Sequence, residues 1–498
     1  MARAISRQAF VRGGLGAAAG ALLGSCSPTL SPDPQNPTPT SGPPPTPAAS
    51  SPQDWGALDD AIDGRVILPS RAEYGAAKDV FNSRFADSTP AAVVTVKSTD
   101  DVRKAVEFAA KGNIKIAARS GGHSYIGASA ANSAMVIDLR QLPGDINYDD
   151  ASGLATVPAA AELDSVQTVL VSHGRSIPSG SCPTVGTAGL TLGGGLGADA
   201  RRSGLTCDAL VSASIVLPSG EAITASPDDH ADLFWALRGG GGGNFGVVTS
   251  FTFRTIPITD RDVVTLVFPD GETEHAILGW YEWLRGADRA IWGMVNITVG
   301  PGSAGCIIVL ATAPGNGPSR AGDLCSAIGV QPVSNSSRTL NRMDFIHYFE
   351  GGDDATKPRA FVAGSDVVGD MTPAAAESIV AATSAWQQAA GASTTVIESL
   401  SGAVGDVDSG DTAFPWRHQA ACVQWYVETP SPATVESANQ WMAGAHQAVQ
   451  ANSVGGYVNY VEPNTAAARY FGGNLARLKA IRQKCDPDGL MYSGITEW

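Results

Sequence analysis

Five consecutive glycines, Gly239 to Gly243, stand between a helix-like segment (LFWALR) and an apolar, strand-like run from Val247 to Phe253. Such a run cannot serve stability, because each glycine gives up more conformational freedom on folding than any other residue. Its use must lie in what a bare backbone can approach. Two further stretches repeat the theme. "RSGGHSYIGAS", Arg119 to Ser129, puts a histidine straight after two glycines. "GSCPTVGTAGLTLGGGLG", Gly180 to Gly197, puts Cys182 in a turn ahead of a glycine run. The Gly-Gly-His turn has a plain reading, a tight turn with a solvent-facing imidazole. It also has a demanding one, in which a large flat ligand lies on the backbone and His123 reaches it. The run from Gly193 to Gly197 does not make a Rossmann fingerprint, because no clean apolar strand precedes it. Backbone N–H groups approaching a pyrophosphate closely explain Gly193, Gly194, Gly195 and Gly197 better.

Periodicity places these turns on elements. Ala91 to Val96 reads as a strand. Ser98 or Thr99 can cap a helix whose apolar face is Val102, Ala105, Val106 and Ala109, with Gly112 ending it. Ile114 to Ala118 reads as a second strand, so the histidine turn lies at a strand end in a βαβ-like unit, where ligands commonly sit. "MVIDLRQL" and Gly153 to Glu162 read as strands, Leu163 to His173 as a helix, and Arg477 to Asp488 as an amphipathic helix ending before Pro487.

A chain of 498 residues suits two large domains plus extensions. Its net charge of −15 argues against nucleic acid as a partner. Arg3, Arg7 and Arg12 precede a short apolar run ending in Leu23-Gly24-Ser25-Cys26, which resembles a bacterial lipobox. "SRQAFVR" resembles a twin-arginine signal with Gln8 in place of the second arginine. Export with a lipidated Cys26 is the expectation, followed by a Pro/Ser/Thr-rich tether. Cys207, Cys306, Cys325, Cys422 and Cys485 are scattered, with no metal-ligand spacing and no disulfide framework among them.

"RSGGHSY", "GSCPTVG", "GGGLG", "LFWALRGGGGGNFGVVT" and "GGYVNYVEPN…RYFGGNLARLKAIRQKCDPDGLMYSG" occur in this order from about Trp55 to Gly494. Together they resemble the berberine bridge enzyme-like flavoproteins, a branch of the vanillyl-alcohol-oxidase fold. The resemblance implies an α+β chain: a PCMH-type FAD-binding domain, and a substrate domain with an antiparallel sheet backed by helices. Implied boundaries are a leader over 1–26, a tether over 27–53, FAD-binding residues 54–259, substrate-binding residues 260–452, and a C-terminal return over 453–498. It implies bicovalent FAD, with His123 on the 8α-methyl and Cys182 on ring carbon 6. Arg119, Ser120, Gly121, Gly122, Ser124, Val185, Gly186, Gly246, Val248 and Tyr460 join the glycines above as cofactor contacts. A neutral imidazole and a thiolate are the nucleophiles such attachment needs.

"SDVV", Ser365 to Val368, resembles the family's strand over the flavin, and "AFPWRHQAACVQWYV" a neighbouring stretch in which Trp416 replaces the family's histidine. Cys422, Gln424 and Tyr426 share one strand face, Val423, Trp425 and Val427 the other. Gln424 falls where some members carry a glutamate base, and an amide cannot take a proton. The resemblance makes Tyr460 the base, with Tyr457 the fallback. Read as a strand, "GYVNYV" turns these two tyrosines to opposite sides. A phenol needs neighbouring charge or hydrogen bonds to act near neutral pH, and His418, Asp344, His347 and Arg417 are candidates to supply them. The expected activity is oxidation of an alcohol or sugar hydroxyl. Val185, the smaller choice at its position beside the ring, points to oxygen as acceptor. A dehydrogenase using a quinone or protein acceptor, and a non-catalytic tethered binding lipoprotein, are the alternatives.

Overall fold

The computed structural model describes residues 53–300, 303–349, 356–388 and 391–498. The expected leader, Cys26 and the tether as far as residue 52 lie outside the described residues.

The first sheet has four strands, ordered Arg65–Ile67, Ala92–Thr95, Met135–Asp138, Ile116–Arg119. Met135–Asp138 runs parallel to both Ala92–Thr95 and Ile116–Arg119. Parallel strands need a crossover, and the helix Thr99–Gly112 is the one that joins Ala92–Thr95 to Ile116–Arg119. Ser98 caps it by accepting from the Asp101 amide, and Val102, Ala105, Val106 and Ala109 are buried. The stop comes one residue later than the glycine suggests. Gly112 is the last helical residue, and Asn113, at φ 51°, makes the left-handed turn that asparagine tolerates. Five antiparallel strands follow, ordered Asn147–Asp149, Leu154–Pro158, Val247–Arg254, Leu210–Val216, Ala222–Ala225. Both sheets and the helix Leu163–Ser172 share one apolar core.

The largest sheet of the described residues, with eight strands, is antiparallel and lies almost wholly between residues 261 and 428. Its centre is Trp292–Gly300, Ser393–Ser399, Ala421–Glu428 and Phe361–Val368, in that order. Helices Thr273–Gly286, Gly317–Ile328, Pro373–Ser384 and Pro432–Val449 back one face through Trp280, Leu324, Ile379 and Trp441. The strand period of two sorts side chains as expected: Val423, Trp425 and Val427 join the helix-backed core. Gln424, Tyr426 and Glu428 face a cavity on the other side. On the adjoining strand, Ile397 faces the helices while Thr394, Val396 and Glu398 face the cavity.

After the short edge strand Ser453–Gly455 the chain returns to the first core, contributing Val458, Tyr470, Phe471, Leu478, Ile481 and Met491. Here the structure departs from the strand reading of "GYVNYV". Trp416 lies against Gly455, where a Cβ would sit 2.4 Å from its ring, and the Trp416 indole donates to the Gly456 carbonyl at 2.8 Å. The chain leaves the sheet at that point, and Val458–Tyr460 forms a 3₁₀ turn. Positions three apart nearly eclipse on such a turn. Tyr457 and Tyr460 therefore face the same cavity.

Candidate active site

One cavity of about 350 Å³ lies between the glycine-rich turns and the open face of the large sheet. That volume falls within the about 300–1,000 Å³ typical of small-molecule sites. Two turns carrying candidate nucleophiles meet in its wall. A Cβ at Gly121 would lie 2.3 Å from the Gly186 nitrogen, and one at Gly186 would lie 1.9 Å from Ser120 Oγ. Only glycine at both positions lets the His123 turn and the Cys182 turn touch. Ser120 Oγ donates to the Ala159 carbonyl at 2.9 Å, and Thr184 Oγ1 lies 3.0 Å from His123 Nε2. Phe81 stacks on the imidazole at 3.9 Å, and Arg359 lies over Phe81.

Burial first, and then the Arg359 charge, hold His123 neutral by pushing its pKa down to about 3. His123 lines the cavity. Cys182 is a free, exposed thiol in the same wall. Gly122, Ser124, Val185, Gly246 and Val248 also line the cavity, as do Gly241, Gly242 and Gly243 of the five-glycine run.

Several expected contacts lie elsewhere. Arg119 is fully buried and ion-paired to Asp138 at 2.8 Å, holding the first sheet rather than facing the cavity. The run Gly193 to Gly197 lies against protein. Side chains there would strike Asn459 at Gly193, Phe414 at Gly194, Thr206 at Gly195 and the Ser179 carbonyl at Gly197. Its amides are used: those of Gly195 and Leu196 donate to Tyr457 Oη at 2.8 and 3.2 Å. Asn459 Nδ2 donates to the same oxygen at 2.8 Å, and burial raises the pKa of this phenol. Tyr457 is thus a tether for its segment. Trp416, buried against Gly455, is absent from the cavity wall.

Tyr460 keeps its hydroxyl in the cavity. It stacks on Tyr125 at 5.3 Å and donates to Glu398 Oε2 at 3.5 Å. Gln424 Nε2 donates to Tyr125 Oη at 2.6 Å. None of the charged groups expected beside the base is the one found there. Asp344 pairs with Asn341, His347 with Asp164, His418 with Asp408 and Arg417 with Asp208. Glu398 and Tyr125 escaped the sequence reading. A lone carboxylate in the β-branched run "STTVIES" and the tyrosine closing "GGHSY" were the available signals.

The cavity fits FAD by two observations. Gly189 and Gly242 line it, yet a Cβ at Gly189 would meet no protein atom within 4 Å and one at Gly242 only Leu192 at 3.9 Å. No protein packing explains these glycines, so the bare wall serves an occupant. Ser129, also in the wall, has a buried hydroxyl with no partner among the described residues.

The FAD binding domain family model matches residues 90–226, and the "Berberine and berberine like" model matches residues 456–492. The chain carries the FAD-binding and berberine-like domains of an FAD-linked oxidoreductase. It is 28% identical to an FAD-linked oxidoreductase of Bacillus subtilis, over 86% of this chain and 95% of that one. It is 29% identical to the xylooligosaccharide oxidase of Thermothelomyces thermophilus, over 89% and 95%. The solved glucooligosaccharide oxidase of Acremonium strictum, described as carrying 6-S-cysteinyl, 8α-N1-histidyl FAD, superposes with a TM-score of 0.80. It has 23% identity and covers 89% of this chain and 98% of that one.

Proposed function

We propose that this FAD-linked oxidoreductase oxidises a sugar or other alcohol hydroxyl, with FAD attached through both His123 and Cys182 and oxygen as the electron acceptor. The observation that carries the reading is the meeting of the two turns, which sets a neutral imidazole and a thiol in one cavity wall. Thr184 engages His123 Nε2, which leaves Nδ1 for a covalent bond. When bound, FAD supplies the acceptor for a hydride from the substrate carbon.

The protein's part is the proton and the pose. Tyr460 already donates toward Glu398, so its oxygen can take the substrate hydroxyl proton while its own passes to that carboxylate. Gln424 and Tyr125 offer donors and acceptors for orienting a polyol, and the stacked Tyr125 and Tyr460 rings, with Phe361 edge-on to Tyr125, give an aromatic surface for a sugar. The relatives named for oligosaccharides support carbohydrate as the substrate class. Val185 in the wall beside Gly186 supports oxygen access. The basic leader and "LGSC" support export with a lipid anchor on Cys26.

The deciding experiment is anaerobic reduction of the bound flavin, screened across oligosaccharides, simple alcohols and phenols, with oxygen uptake measured on whatever reduces it. Tyr460→Phe should slow reduction about 10²–10⁴-fold with the yellow colour retained. Free FAD released by acid from the unaltered protein would refute covalent attachment. Turnover confined to a quinone or dye would make the protein a dehydrogenase.

A further inference from the structure

Away from the cavity, three charged side chains from three different elements meet a fourth, Glu462, at the end of the segment that carries both tyrosines. His446, on Pro432–Val449, has Nδ1 2.6 Å from Asp366 Oδ2 and Nε2 2.6 Å from Glu462 Oε2. Asp366 Oδ1 accepts from Ser453 Oγ at 2.6 Å and Arg469 Nη2 at 3.0 Å, and Trp425 Nε1 donates to Oδ2 at 2.9 Å. Glu462 Oε1 accepts from the Ser365 amide at 3.3 Å, and the Glu462 amide donates to Tyr470 Oη at 2.8 Å. The Glu462 side chain lies on the bare backbone of Gly364, where a Cβ would come within 2.4 Å of its carboxyl carbon.

A neutral imidazole has one N–H, and both ring nitrogens here face carboxylate oxygens. Arg469 Nη2, 3.1 Å from Nδ1, is itself only a donor. Were Nδ1 bare to accept from it, the Asp366 oxygen at 2.6 Å would face a lone pair. The ring is therefore an imidazolium, and with Arg469 it balances the two carboxylates.

The consequence concerns the tyrosines. Their segment is pinned at its start, where the Tyr457 amide donates to Ser365 Oγ at 2.9 Å, and at its end by Glu462. We propose that His446, as an imidazolium wedged between Asp366 and Glu462, is the positioning residue that fixes Tyr460 against Glu398, and that its deprotonation ends fast hydride transfer. This rests on Tyr460 acting as the base. Burial alone would lower the His446 pKa, but the bonds to Asp366 and Glu462 outweigh it and raise the value to about 9.

The test uses the full chain carrying its flavin, with isotope-labelled histidine followed by NMR and flavin reduction followed anaerobically. The signal removed by His446→Gln should titrate near pH 9 rather than 6.5. Above that value wild-type reduction should slow and level off about tenfold down, reversibly and with an unchanged flavin spectrum. His446→Gln should be slower by about tenfold near neutral pH, without the alkaline limb and with substrate affinity changed less than threefold. Glu462→Gln, which leaves the Asp366 bond, should move the limb to lower pH. A His446 signal titrating near 6.5, or wild-type reduction flat to about pH 10, would overturn the proposal, and the wild-type pH profile still decides it if the variants fail to fold. A flavin that no hydroxyl substrate reduces would overturn the catalytic reading instead, while the titration still judges the clamp.

Discussion

Gly189 lets the protein and its cofactor be separated in one experiment. It is the third residue of the helix Thr187–Leu192, its φ is not positive, and a Cβ there would meet no protein atom within 4 Å. Alanine is favoured over glycine inside a helix by about 0.5–1 kcal/mol. For the polypeptide alone nothing opposes that gain, so Gly189→Ala should stabilise it by about that amount, a rise in thermal midpoint of about 2 °C or less. With FAD against this wall the methyl group takes the ligand's place, and binding should weaken at least tenfold, or about 1.4 kcal/mol. The two effects have opposite signs. The assay starts from a His123→Ala, Cys182→Ala background, in which FAD binds reversibly, and measures the midpoint of the flavin-free protein and FAD affinity by fluorescence. Gly121→Ala is the contrast: its Cβ would lie 2.3 and 2.7 Å from backbone atoms of Gly186 and Thr184, so stability and affinity should fall together. If Gly189→Ala stabilises the flavin-free chain and leaves FAD affinity unchanged, the cofactor does not lie on this wall.

Other expectations follow from the same geometry. Val185→Leu should slow reoxidation of the flavin in air while leaving its reduction nearly intact, because a close-packed wall has little slack for a methylene; equal reoxidation rates would clear Val185 of any part in oxygen access. Cys26→Ser should release the protein from membranes to the soluble exported fraction, and unchanged membrane association would refute a lipid anchor. Because the folded-state value of His446 is raised from 6.5 to about 9, its contribution is complete below the lower figure and is lost as pH rises through the higher one. Unfolding free energy should therefore fall by on the order of 3 kcal/mol across that window, and less so in His446→Gln, as measured by denaturant titration at each pH.

What the sequence made legible was local. The helix after Ser98, the inward and outward residues of Ala421–Glu428, and the two nucleophile turns all follow from periodicity, caps and glycine placement within a few residues. The glycine run at 193–197 was harder, because a bare backbone looks the same in sequence whether it approaches a ligand or another part of the chain. Its partner, Tyr457, lies more than 250 residues away. Glu398 was hidden for a related reason: a carboxylate on a buried strand becomes meaningful only once sheet order sets Ser393–Ser399 beside Ala421–Glu428 and opposite Tyr460. The strand reading of "GYVNYV" failed because Trp416, distant in sequence, draws the chain out of the sheet at Gly456.

These long-range contacts share a place. Gly193 under Asn459, Gly195 under the Tyr457 hydroxyl, Gly364 under Glu462 and Gly455 under Trp416 all surround the segment that crosses from the large sheet back to the first core. The cavity glycines and this second set do different work. The first set clears space for a flat ligand; the second lets protein press on protein until one short turn can place a phenol. Hydride transfer needs its base within hydrogen-bond reach of the substrate hydroxyl, and a shift of about an ångström costs orders of magnitude in rate. Tyr460 sits on a 3₁₀ turn, whose hydrogen-bond geometry is poorer than that of an α-helix, so its position must be imposed from outside. Asn459 and Glu462 impose it by lying on the bare backbone of Gly193 and Gly364, and Tyr457 by accepting from the Gly195 and Leu196 amides. Substitution at any of those glycines should therefore act on the rate of flavin reduction before it acts on flavin content.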